Sequence, residues 1–203
     1  MSAADVFTAL KDIFLAGAAA TTAFVAYRGL EKWKAELSGR TNFEVARQFM
    51  KSVYRLRNEI QDCRSPFVSA SEFPEGYQGA LGNYSSNEKG DAWVHVYKNR
   101  WQPVMDAVQE FDSATLEAEA LWGTAVKDAA QELRRLAVRL RASIDAFIRN
   151  EYSGHQDFGD RDFAVRIRSD LNASEMETDT LSPAIREAIA KIEDLVRPHL
   201  SRD

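Results

Sequence analysis

The sequence predicts an all-α protein, with an N-terminal transmembrane helix followed by a four- to five-helix bundle. Three observations carry that prediction. The run Ile13–Tyr27, IFLAGAAATTAFVAY, holds no charged residue. Beyond it, apolar residues recur at alternating three- and four-residue spacings through several long segments, which is the period of one helix face. Only one short stretch alternates with the period of two that a strand needs. With 203 residues, 45% of them apolar, the chain can bury one core of ordinary domain size.

The first element is the uncharged run. At 15 residues it covers roughly 22 Å, short of a hydrocarbon core of about 30 Å. Extending the helix back through Val6, Phe7 and Leu10 supplies the missing length if Lys11 snorkels, pairs with Asp12 or faces a wet interior. A cleaved signal peptide is disfavoured because its basic start is missing. Arg28, Lys32, Lys34 and Arg40 crowd the C-terminal flank, which places the bulk of the chain in the cytoplasm, under a single pass of the bacterial inner membrane. Small residues at helical spacing, Ala16 with Ala20 and Gly17 with Thr21, let backbones approach closely and predict self-association. With Lys11, Phe14 and Phe24 they form the residue set assigned to the anchor or to a pore lining.

Leu30, Trp33 and Leu37 keep a helical period to Gly39, with Trp33 placed for an interfacial anchor. Residues 1–40 are thus read as the anchor and its extension, and residues 41–203 as the cytosolic bundle. Thr41 and Glu44 have the spacing of a capping box and predict a helix start. That helix carries Ala46, Phe49, Val53, Leu56, Ile60 and Cys63 on one stripe and closes at Ser65-Pro66. Residues 65–90, rich in Gly and polar residues, form a long loop. The period resumes over Val94–Phe111, where Pro103 predicts a kink or break.

The longest helix is predicted to start near Ser113 or Thr115 and to carry Val126, Ala130, Leu133, Ala137, Leu140, Ile144 and Phe147. Arg134, Arg135, Arg139 and Arg141 lie off that stripe and read as a solvated face, with Asp128, Glu132 and Asp145 as intrahelical partners. Residues 153–180 read as a second loop in which Phe163, Val165 and Ile167 alternate as a short strand would. Ser182-Pro183 opens a last helix with Ile185, Ile189, Ile192 and Val196 on one face.

A net charge of −5 and a pI near 5.4 argue against a nucleic-acid coat, so no DNA partner is expected. Cys63 is the sole cysteine, which excludes an intramolecular disulfide and leaves no metal site of Cys/His spacing; no metal and no cofactor are expected. His95 and His199 are read as surface histidines. There is no glycine-rich phosphate loop, HExxH or nucleophile elbow.

One arrangement survives: Arg149-Asn150-Glu151-Tyr152-Ser153-Gly154-His155, of the form R-N-x4-H, at the end of the longest helix. An Arg can hold a phosphate oxygen bidentately, and a His can move a proton to or from a ribose hydroxyl or the leaving oxygen. A structural reading stands beside this, with Arg149 paired to a carboxylate and His155 helping to cap the helix. The pattern resembles the HEPN superfamily of helical bundles. That resemblance implies metal-independent RNA cleavage by Arg149, Asn150 and His155, with two copies of the motif paired across a dimer.

Anchor and motif together resemble the membrane-anchored HEPN-like accessory proteins of type VI-B CRISPR loci. That implies a pore-forming homo-oligomer in antiphage defence, with lipid, an RNA-guided effector protein or RNA as partners. The stretch from Ala26 to Phe67 also looks like bacterial single-span proteins with no assigned activity. A non-enzymatic membrane effector is the leading expectation, a tethered HEPN ribonuclease the second and a membrane scaffold the third.

Overall fold

The computed structural model describes residues 3–79, 82–174 and 179–200, and their side chains apart from those of 3–13, 16, 19 and 35. Its five α-helices are α1 (Ala3–Cys63), α2 (Ser86–Trp122), α3 (Thr124–Tyr152), α4 (Arg161–Leu171) and α5 (Leu181–Leu200). The described residues contain no strand.

Helix α1 runs unbroken through the place where two helices are expected. Thr41 does not cap a new helix; its hydroxyl donates to the Leu37 carbonyl one turn back (3.0 Å), as Thr does inside a helix. Two parts of one helix therefore do different work. From Ala46 to Cys63 the predicted stripe is buried, with Phe49, Val53 and Leu56 fully covered. Before Asn42 the helix projects beyond the bundle, and Phe14, Leu15, Phe24, Val25, Tyr27, Leu30, Trp33 and Leu37 are exposed.

Among the described residues no helix is long and apolar enough to cross a membrane, and this corrects the expected transmembrane helix and the single-pass inner-membrane placement. The physical reason lies in the run itself. Nine of the 15 residues Ile13–Tyr27 are Ala, Gly or Thr, which contribute little transfer energy. Lengthening it toward 20 residues brings in Lys11 and Asp12 on one side, or Arg28, Glu31 and Lys32 on the other. Of the set assigned to the anchor, Lys11 and Ala16 have side chains outside the described ones; Phe14, Gly17, Ala20, Thr21 and Phe24 are exposed along the projecting helix.

The bundle is a closed square of α1, α2, α3 and α5, each packed on its two neighbours, with α4 laid outside on α3. Contacts at the two poles show the alternating direction. At one pole the Trp122 ring at the end of α2 stacks on His199 near the end of α5 (4.4 Å), and its indole N–H donates to Asn42 Oδ1 on α1 (3.1 Å). His199 is thus a packing residue of this pole, where the projecting helix departs. At the other pole lie the end of α1 and the start of α5, joined by Arg64 and Ser182 (2.7 Å). Phe49 and Phe111 stack at 5.9 Å in the core between them.

Other boundaries shift from expectation for identifiable reasons. Pro103 does not break α2, because it sits on the exposed face where water can take the freed carbonyl. The break comes at Gly123, whose φ of 84° suits glycine, so the longest helix is α1 and the Val126–Phe147 stripe belongs to α3. Residues 161–171 are helix α4 and not strand-like: Asp160 caps it, accepting from the Asp162 amide (2.9 Å), and Ile167 and Leu171, four apart, are its buried face.

Candidate functional site

The R-N-x4-H residues are shaped by the way α3 stops. The amide of His155 donates to the Asn150 carbonyl (2.8 Å) and that of Gly154 to the Glu151 carbonyl (3.2 Å), the paired bonds of a Schellman cap. Gly154 takes the left-handed conformation this cap needs (φ 66°), and His155 follows it there (φ 69°), uncommon for a non-glycine residue. The chain doubles back over the last turn and returns the His155 ring to Asn150 and Glu151.

Each residue of the motif then has a distinct setting. Asn150 is buried; its Oδ1 accepts from the Phe158 amide (3.3 Å), which turns its Nδ2 toward His155 Nδ1 (3.2 Å). Glu151 is buried as well, and burial pushes its carboxyl up from the usual range, against the pull of His155 and Lys89. Its Oε1 lies 3.4 Å from His155 Nδ1. Nδ1 thus faces both Asn150 and Glu151, and the ring, in a side chain that is 62% exposed, turns its Nε2 edge away from them. Arg149 is exposed and makes no ion pair among the described residues, so the carboxylate partner of the structural reading is not seen.

The end of α3 is held in place by a close approach. A Cβ at Gly90 of α2 would overlap the Tyr152 ring, so the glycine lets that ring lie flat on α2, where its hydroxyl donates to Asp91 (2.6 Å). The loop after α1 covers the same pole. Arg100 of α2 ties it down, donating to the carbonyls of Ser65 (2.8 Å) and Phe67 (2.7 Å) and pairing with Glu72, whose carboxyl it holds below the usual range. Phe73 meets Trp93, which in turn packs edge-on against Phe147 of α3 (5.1 Å).

No protein family, curated protein or solved structure matches this chain. The likeness to HEPN proteins thus rests on Arg149, Asn150 and His155 as the sequence has them.

The basic helix face is largely neutralised. Arg141 pairs with Asp145 as spacing predicts, but Arg134 reaches Asp112 on α2 (2.9 Å) and Arg139 grips Asp170 on α4 with two bonds (2.9 and 2.6 Å). Other helices supply these partners, so intrahelical spacing could not have found them.

Sequence reasoning missed Arg64, the largest fully buried side chain, only 1% exposed. Its guanidinium donates to the carbonyls of Asp170 (2.7 Å) and Ser169 (3.1 Å), to Ser182 Oγ (2.7 Å) and to Asp179 (2.9 Å). Burial raises the Asp179 carboxyl, but bonds from the Ser182 hydroxyl and amide, the Ser174 amide and Arg64 outweigh it and hold the group far below the usual carboxylate range. One signal was available: Arg64 stands four residues after Ile60, continuing the apolar stripe.

Proposed function

We propose that this protein is a self-assembling accessory protein whose projecting α1 segment joins several copies through an intermolecular helical bundle, with the four-helix bodies carried at one end. The observation that carries the reading is the row of eight large apolar side chains exposed from Phe14 to Leu37, with Trp33 60% exposed. Residues 3–40 extend about 57 Å. An isolated helix of this composition gains nothing from tertiary packing in water, the main source of helix stability.

Within that segment Ala23, Ala26, Leu30, Trp33 and Leu37 follow strict three-four spacing, the pattern of a seam between helices. Leu37 and Ala46 are nine residues apart, two and a half turns, so the seam faces half a turn away from the bundle core. It is no continuation of the intrachain stripe. Completing the burial of Leu30, Trp33 and Leu37, each about half exposed, yields roughly 1 kcal/mol apiece, or about 6 kcal/mol over two chains. Micromolar association needs about 8 kcal/mol. Phe24, Val25 and Tyr27, on other sides of the helix, must contribute too, which favours more than two helices. The test is the solution mass of the full chain over a concentration series. Multiples of 22.8 kDa are expected, and a monomer at every concentration overturns the proposal.

A second reading, metal-independent RNA cleavage, is favoured by an exposed Arg149 that makes no ion pair among the described residues, six positions before a histidine whose Nδ1 meets Asn150. Arg149 would hold the phosphate while the ribose 2′-hydroxyl attacks phosphorus and the P–O5′ bond breaks; water would take the hydroxyl proton and the charged His155 ring would protonate the leaving oxygen, with Asn150 and Glu151 orienting the ring. Labelled single-stranded RNA incubated with the full chain in a chelator tests it. Cleavage abolished by Arg149→Ala and His155→Ala supports the reading. Cleavage that is absent, or unchanged in both variants, removes it.

A further inference from the structure

Between α1 and α5, where α1 ends, lies a cleft of about 420 Å³ that neither the assembly nor the cleavage reading uses. Its size falls within the range of small-molecule sites and far exceeds that of a lone inorganic ion. Arg57 and Gln61 line it from α1 and Arg186 from α5, while Ser174 comes from the connection before α5. Ile60 and Ile185 form an apolar wall.

Among the described residues the charge in this cleft is unbalanced. Of its three arginines, Arg64 at the floor is neutralised by Asp179. Among the described residues Arg57 has a neutral partner, the Asn58 side-chain oxygen (3.1 Å), lies over the Tyr54 ring (5.0 Å) and makes no ion pair, and Arg186 makes none either. No carboxylate lines the cleft among the described residues. Among the described residues, the two guanidinium-bearing side chains that line the cleft from opposite helices thus have no anionic partner.

The floor is rigid. Arg64 is almost wholly buried, and its donors are held by Ser182 Oγ, by backbone carbonyls and by Asp179. Such preorganisation lowers the ordering cost of binding.

We propose that this cleft binds a small phosphorylated organic anion, the phosphate held between Arg57 and Arg186 and the organic part against Ile60 and Ile185. Guanidinium groups match phosphate oxygens bidentately, and an anion with an apolar portion suits the mixed walls. The site stands independently of how copies assemble.

Titration calorimetry on the full chain tests it, with adenosine monophosphate, inorganic phosphate and acetate as probes. Adenosine monophosphate is expected to bind most tightly, phosphate more weakly and acetate least. Arg57→Gln and Arg186→Gln are each expected to weaken nucleotide binding at least about tenfold, the ordinary weight of a charged hydrogen bond. Arg47→Gln, at an exposed pair with Glu44, is the control and should leave binding unchanged. Should either arginine variant fail to fold, Gln61→Ala supplies the same readout. No binding of phosphate or nucleotide at about 10 mM, acetate binding as tightly as phosphate, or full binding in the double arginine variant overturns the proposal.

Discussion

Replacing Arg64 by Met keeps most of the buried stem but removes every donor of the guanidinium. The carbonyls of Ser169 and Asp170 and the Ser182 hydroxyl then lose a partner inside the protein. Asp179 keeps the amides of Ser174, Leu181 and Ser182 and the Ser182 hydroxyl, so its charge is not left bare. Removing one member of a buried pair costs about 3–5 kcal/mol, and the surviving Asp179 bonds put this case at about 3 kcal/mol. For a chain of this size that corresponds to a fall in Tm of about 10 °C. Urea unfolding followed by tryptophan fluorescence measures it. A companion variant, Asp179→Asn, gives the pH dependence. A carboxyl held below its unfolded value stabilises above the unfolded pKa, and that contribution is lost as pH falls through the folded value. The stability gap between wild type and Asp179→Asn is therefore expected to hold from pH 7 to about pH 4 and to close only in stronger acid. An Arg64→Met cost under about 1 kcal/mol, or a gap already closing between about pH 7 and 5, refutes the reasoning.

Two further outcomes follow from burial and tethering. Burial pushes the Cys63 thiol up to about 11, so Ellman's reagent is expected to leave it unmodified in the native chain at pH 8 and to modify it fully in urea; rapid native reaction contradicts this. Arg100→Ala removes the three-point tie on the loop after α1, and limited proteolysis within residues 65–79 is expected to speed up about tenfold while the helical body stays intact; an unchanged rate contradicts the role given to Arg100.

The helical class and the core stripes were legible because burial imposes a three-four spacing that survives in the residues themselves. Phe49, Val53, Leu133, Leu140, Ile189 and Ile192 all lie where their spacing put them. Boundaries were less legible. Thr41 and Glu44 have capping-box spacing, yet α1 continues through them, since a Thr hydroxyl bonds its own helix as readily as it caps the next. The membrane helix failed on quantity: absence of charge was legible, but alanine and threonine make an uncharged run only weakly apolar. At the α3 terminus the motif could be read as residues, whereas the Schellman cap that brings His155 back to Asn150 depends on Gly154 and on the return of Phe158, a tertiary feature. Arg64 was hidden because its partners lie 105 to 118 residues away.

The central claim is that the projecting part of α1 assembles copies of this chain. The most direct measurement is light scattering on the full chain beside a variant carrying Leu30→Glu, Trp33→Glu and Leu37→Glu, none of which touches the bundle core. A wild type of two or more chains and a folded variant at 22.8 kDa are expected. A wild type that is itself monomeric, or a variant of unchanged mass, contradicts it.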